Sequence, residues 1–320
     1  MDSKLKKILF NFFKLASSVT LLLLVIRKTN LTEVLQALST ANIYYLVAAL
    51  LVYSLSYYLR TFRWQSLLKA RGIPASNLYL LKSYFVGIFF SNFLPSIVGG
   101  DAIRVYDIWR IEPNKSIAVT TVLVDRVLGL LVLAMFALGG LFVVPQAQSL
   151  ISFSGISLAI AIISITLVCL IIRKLLVSKQ VREWEKNLKF GLWQKIRLKV
   201  FNIWQALMSF KDAQKQLLAA VFWSISVQVA VILHYFLIAK SLSFSTSLAS
   251  FFLIVPLATV IMMLPISINA IGLRENAFVF LIGTYSIGVT RPETIAFSWL
   301  AYGIIVIQGL VGGLVHLLRK

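Results

Sequence analysis

Ser91-Asn92-Phe93-Leu94-Pro95-Ser96-Ile97-Val98-Gly99-Gly100-Asp101-Ala102-Ile103-Arg104 is the stretch from which the rest of the chain is read. An apolar run leads into it, breaks at Pro95, passes Gly99 and Gly100, and leaves through Asp101 and Arg104. Proline removes a backbone donor and stops a helix. Glycine permits backbone that other residues resist. Met263-Leu264-Pro265-Ile266-Ser267-Ile268-Asn269-Ala270-Ile271-Gly272-Leu273-Arg274-Glu275 has the same grammar, and in both stretches an arginine stands nine residues after the proline. Broken apolar segments in corresponding parts of two halves point to a transporter-type site near the membrane midplane.

The composition around these breaks fits a membrane. Of 320 residues, 59% are hydrophobic and 13% charged, and the mean hydropathy is +0.90; soluble chains average about 45–50% apolar and about 25% charged. The formal net charge is +20, which in a soluble protein would point to nucleic acid. Here the bases fall in short loops between apolar runs, where they set topology and meet anionic headgroups, so no nucleic-acid partner is expected. The single cysteine, Cys169, lies inside an apolar run and has no internal disulfide partner. With two histidines and one cysteine, no metal-ligand cluster is expected. No glycine-rich phosphate loop is present, so neither a cofactor nor ATP drive is expected.

A membrane helix needs about 20 apolar residues. By that measure full spans are expected over 8–26, 42–59, 117–144, 153–172, 216–239 and 295–318. Segments 83–97 and 248–265 are apolar but broken, 101–115 is amphipathic, and 272–288 resumes as an apolar arm. The basic regions are the N-terminus, 60–82, 173–215 and the C-terminus, whereas 145–152 and 240–247 are quiet and 27–41 is mixed. Region 173–215 interleaves Trp184, Trp193 and Trp204 with eleven bases and three acids, which suits a membrane-surface helix pair. Putting the basic regions and both termini in the cytoplasm requires 83–116 to come and go on one face, and 248–293 on the other. The expected fold is therefore an all-α polytopic membrane protein with about eight membrane segments. Two of them are Pro/Gly-broken hairpins of opposite orientation, an inverted repeat of about 1–150 and 154–320 within one domain over 1–320.

The candidate site residues follow from the breaks and from charges inside spans. Asp101 and Arg104 leave the first break, and Arg274 and Glu275 leave the second. Guanidinium groups recognise phosphate in two-pronged fashion, so Arg104 and Arg274 are candidate headgroup ligands. The plainer alternative is an ion pair or cap at a helix start. Asp125 and Arg126 lie well inside a span, where a charge costs several kcal/mol and is normally paired and inward-facing; Arg104 and Glu275 are candidate partners. Asn92 and Asn269 either satisfy broken backbone or bind a headgroup. Pro95, Gly99, Gly100, Pro265 and Gly272 are the structural breaks. His234 stands alone in a span and His316 near its end, and both read as structural.

Three motifs in order carry a resemblance: N-F-L-P-S-I-V-G-G-D-A-I-R over 92–104, V-D-R-V-L-G-L over 124–130, and L-P-I-S-I-N-A-I-G-L-R-E over 264–275. Together they resemble the flippase-like membrane family named for the transmembrane region of lysylphosphatidylglycerol synthase, over nearly the whole chain. The resemblance implies movement of a phospholipid or polyprenyl-linked headgroup across the cell inner or plasma membrane. It also implies membrane lipids as partners, with a cell-envelope glycosyltransferase as an optional protein partner. The family's best-known members add a soluble aminoacyl-transferase domain. Here the chain runs to Lys320 directly after its last apolar run, so the membrane part is expected alone, and without the synthase activity. Ala270 stands where many relatives carry glycine. Two other readings stay open: a membrane glycosyl- or aminoacyl-transferase acting on a lipid carrier, and a non-catalytic partner of a cell-envelope enzyme.

Overall fold

The computed structural model describes residues 31–93, 99–112, 114–143, 210, 213–264, 266–286 and 288–319. The expected spans 8–26 and 153–172, Cys169, Pro95, Pro265 and nearly all of 173–215 lie outside them. Every regular element among the described residues is helical. In chain order they are α1 (Leu31–Ser39), α2 (Ile43–Lys69), α3 (Asn77–Phe93), α4 (Gly99–Ile111) and α5 (Lys115–Val143). There follow α6 (Gln214–Ser241), α7 (Leu248–Met262), α8 (Leu273–Tyr285) and α9 (Arg291–Leu318). Helices α2, α5, α6 and α9 are each long and apolar enough to cross a membrane, so the chain is a polytopic, all-α membrane protein.

Helices α2 and α6 form the central pair and run antiparallel. The Asn42 N–H donates to the Ser241 carbonyl at 2.8 Å, His234 Nδ1 sits 3.0 Å from the Ala49 carbonyl, and Phe62 stacks on Trp223 at 4.9 Å. Large apolar side chains stay exposed on the outer faces, among them Leu51, Phe222, Leu310 and Leu314. Such a surface suits hydrocarbon, which needs backbone satisfied within each helix but imposes no cost on apolar exposure. The core is aromatic where α6, α7, α8 and α9 meet, with Phe278 and Phe297 edge to face at 5.1 Å. Pro256 lies inside α7 and leaves the Phe252 carbonyl without its helical donor. Gly140 of α5 packs against that carbonyl, where a side chain would collide.

The two broken segments are hairpins that come from opposite ends of the bundle. Tyr79, at the start of α3, donates to the Asp107 carbonyl near the end of α4 at 2.9 Å, so the first hairpin leaves where it came in. Arg319, just past α9, holds the Asp107 carboxylate at 2.8 Å, fixing the end of α9 there too. At the opposite end, α1 packs with the start of α9 and Leu242 beyond α6, through Val34 and Ile295. The second hairpin departs from that end at Leu248 and returns to it at Tyr285. The two hairpins meet inside: Asn269 Nδ2 donates to the Asn92 carbonyl, in the last turn of α3, at 2.6 Å.

Two expectations are corrected, and one region is filled in. The basic stretch 60–82 is not a loop: α2 continues to Lys69, only 70–76 connects, and Lys82 belongs to α3. No glycine or proline interrupts α2 before Gly72, which has the left-handed φ of 71° that ends a helix. The mixed region 27–41 contains a helix, α1. Finally, Gly99 and Gly100 open α4 without positive φ. What Gly100 supplies is closeness, because a Cβ there would lie 2.6 Å from the Gly87 carbonyl of α3.

Candidate functional site

A cavity of about 370 Å³ lies between the first hairpin and the long helices. Six charged residues line it: Arg60 and Arg63 from α2, Asp101 and Arg104 from α4, and Asp125 and Arg126 from α5. Its depth follows from the hairpin. Gly87 and Gly100 let α3 and α4 touch backbone to backbone, so α4 brings Asp101 and Arg104 inward beside Asp125 one helix later.

Asp125 is the hub. Its side chain is 1% exposed, and Arg63 Nε donates to Oδ1 at 2.6 Å, with Arg63 Nη2 on Oδ2 at 3.1 Å. Oδ2 also accepts from Arg104 Nη2 at 2.8 Å and from the Tyr84 hydroxyl at 3.1 Å. Four donors converge on this one carboxylate, and this is how a buried charge in a span is tolerated. Arg104 lies between the Trp64 and Tyr84 rings, 4.2 Å from each centroid. Its Nη1 reaches Asp101 at 3.5 Å, and its Nε has no partner. Arg126 Nε holds Asp101 at 2.8 Å. Arg60 is half-buried and sits 5.1 Å from the Tyr57 ring centroid; among the described residues it has no carboxylate partner. Gln228 also lines the cavity, and its Nε2 is buried without an acceptor.

The structure thus gathers Asp101, Arg104, Asp125 and Arg126 in one place, with Asn92 on the same wall. Asn92 serves the bundle: its Nδ2 donates to the Ile305 carbonyl at 3.1 Å, and its own carbonyl receives Asn269. The second-hairpin residues Arg274 and Glu275 do not line this cavity. The Glu275 carboxylate caps its own helix, accepting the Gly272 N–H at 2.7 Å, so of the two candidate partners of the Asp125-Arg126 pair Arg104 binds Asp125, while Arg126 is held by Asp101 and not by Glu275. Arg274 lies over the Tyr302 ring at 4.3 Å and donates to the Asn269 carbonyl at 3.0 Å; its Nε and Nη1 have no partner. Gly272 has a φ of 77°, and Asn269 and Ala270 are also left-handed at 50° and 57°. Arg60 and Arg63 were missed by sequence reasoning. Their i, i+3 spacing puts them on one helix face, but only once α2 is known to continue past Leu59.

Residues 11–313 match the family described as the lysylphosphatidylglycerol synthase TM region. A UPF0104 membrane protein of Pyrococcus horikoshii is 29% identical over 150 residues, and that match covers 45% of each chain, less than half the relative's length. A UPF0104 membrane protein of Methanocaldococcus jannaschii is 24% identical over 315 residues, 93% of this chain and 92% of the relative.

Proposed function

The chain belongs to the lysylphosphatidylglycerol synthase TM region family, and from that premise we propose that it binds the phosphate of a lipid headgroup in the arginine-lined cavity and carries it across the bilayer. One observation carries the reading. Four arginines and two aspartates line a cavity inside a membrane bundle, an arrangement that is costly when empty of anion and favourable when a phosphate is bound. The lipid is a phospholipid or a polyprenyl-linked carrier, whose tail stays among the apolar outer faces while the head sits in the cavity.

The end of the bundle that carries Lys69, Arg71, Arg110 and Arg319 is assigned to the cytoplasmic face by the positive-inside rule. Arg63 is six residues from Lys69, about 9 Å along the helix axis. The cavity therefore lies within reach of a headgroup from the cytoplasmic leaflet, and the second hairpin adds Thr259 and Met263 to its lining. The test is lipid translocation in proteoliposomes containing the full chain and acyl-labelled lipids. Wild type is expected to speed the translocation of a phosphate-bearing anionic lipid. Arg104→Ala, still monodisperse, is expected to reduce the rate about tenfold or more. No acceleration of any anionic lipid by wild type overturns the proposal.

A further inference from the structure

The charge balance of the cavity says more than that an anion binds; it says how much charge the anion brings. The lining residues Arg60, Arg63, Arg104 and Arg126 against Asp101 and Asp125 leave two positive charges uncompensated among the described residues. The aspartates cannot absorb them. Asp125 already accepts from two arginines and a tyrosine, and Asp101 is shared between Arg104 and Arg126. Arg60 has the Tyr57 ring but, among the described residues, no carboxylate. The unused donors are buried ones: Arg60 Nε, Arg104 Nε and Gln228 Nε2. Arg104 is 5% exposed and Gln228 9%, so bulk water does not satisfy them. An unsatisfied buried donor costs about 1–3 kcal/mol, more when charged, and a cavity of this volume has room for a multiply charged phosphate head.

From this balance we infer that the cavity takes a headgroup carrying two negative charges on phosphate, a phosphomonoester or diphosphate, in preference to a phosphodiester with one. This rests on the headgroup reading above and deepens it. A phosphodiester leaves one guanidinium of the lining without a counter-charge, and a zwitterionic head leaves both. A phosphomonoester or diphosphate neutralises the pair and offers enough acceptor oxygens for the idle donors. Arg60 is the residue that sets the count, because it alone of the four makes no ion pair within the cavity.

The test is equilibrium binding to the full chain in lipid nanodiscs of neutral phosphatidylcholine. The probes are labelled phosphatidic acid, a labelled polyprenyl diphosphate, phosphatidylglycerol, phosphatidylethanolamine and inorganic pyrophosphate. Phosphatidic acid or the polyprenyl diphosphate is expected to bind about tenfold more tightly than phosphatidylglycerol, one additional charge-assisted contact. Arg60→Gln is expected to erase that preference by weakening the doubly charged probes about tenfold more than phosphatidylglycerol, and Arg60→Lys, which keeps the charge, to retain it. The tighter of the two lipid probes identifies the source of the phosphate. Phosphatidylglycerol binding as tightly as both overturns the inference and leaves the headgroup reading standing. Pyrophosphate binding as tightly as the lipid diphosphate supports the charge count and overturns the lipid reading. If no phosphate probe binds, both fall.

Discussion

Asp125 holds two arginines from two different helices, and its removal leaves Arg63 without a carboxylate among the described residues and Arg104 with only the longer Asp101 contact. Breaking a buried pair by deleting one partner costs about 3–5 kcal/mol, because the remaining charge stays desolvated. Asp125→Asn keeps the shape and removes the charge, so it is expected to destabilise the protein by about that amount, read as loss of folded protein in a detergent–denaturant titration. Arg63→Gln with Asp125→Asn is expected to recover part of the loss, since the pair acts as a unit. Additive losses from the two substitutions would contradict the coupling. Arg104 sits differently: it is held by Asp125 and by two rings, so its own position survives ligand loss and keeps the site preformed. That a charge deep in a span must have partners was legible from residue chemistry, and Arg104 was named as one. Arg63 was not. The Tyr57-Tyr58 pair resembles an interface belt, which marks the end of a span, yet Tyr57 is 5% exposed and belongs to the core.

At the scale of the element, the second hairpin solves the problem of breaking a helix inside a membrane by giving its free backbone groups side-chain partners. At the second tip, Gly272 passes its N–H to Glu275 and its carbonyl to the Asn276 side chain at 2.7 Å. Arg274 takes the Asn269 carbonyl, and Asn269 in turn secures the first hairpin. Ala270 is the uneconomical member, an alanine with a φ of 57°, where a residue with Cβ costs about 1–2 kcal/mol relative to the right-handed form. Ala270→Gly is therefore expected to raise stability by about 1 kcal/mol, seen as a higher melting temperature of the purified protein. An unchanged or lower one would show that the tip is not left-handed there. The breaks themselves were legible from proline, glycine and the repeated arginine spacing. Their internal chemistry was legible only in part: a cap at the helix start was the plainer reading of Glu275 and is what its carboxylate makes, because an unsatisfied N–H in hydrocarbon is an expensive group, whereas the Arg274 bond to the Asn269 carbonyl does not show in the spacing. The same limit applies to Gly100, whose service to Gly87 depends on a contact thirteen residues away.

Over the whole molecule, the charge distribution along the chain was enough to require two hairpins from opposite faces. Parity alone forces that arrangement once the basic regions share a side. The described helices have it: the first hairpin starts and ends beside Arg319, the second beside α1 and the start of α9. What the chain order could not give was where the charged residues converge. The charged lining of the cavity comes from α2, α4 and α5, not from both hairpins symmetrically, because the arginines of α2 lie on a helix that packs against the first hairpin. Arg274 is left in its own surroundings over Tyr302. A transport site beside the contact between the two hairpins needs them to be open to opposite compartments. The decisive measurement is side-specific cysteine labelling in a Cys169→Ser background, with one cysteine at Pro74, before the first hairpin, and in a second protein at Ser245, before the second. A membrane-impermeant maleimide is expected to label Pro74→Cys only in inside-out vesicles and Ser245→Cys only in right-side-out ones. Labelling of both from the same side would contradict the opposed hairpins and the headgroup path that depends on them.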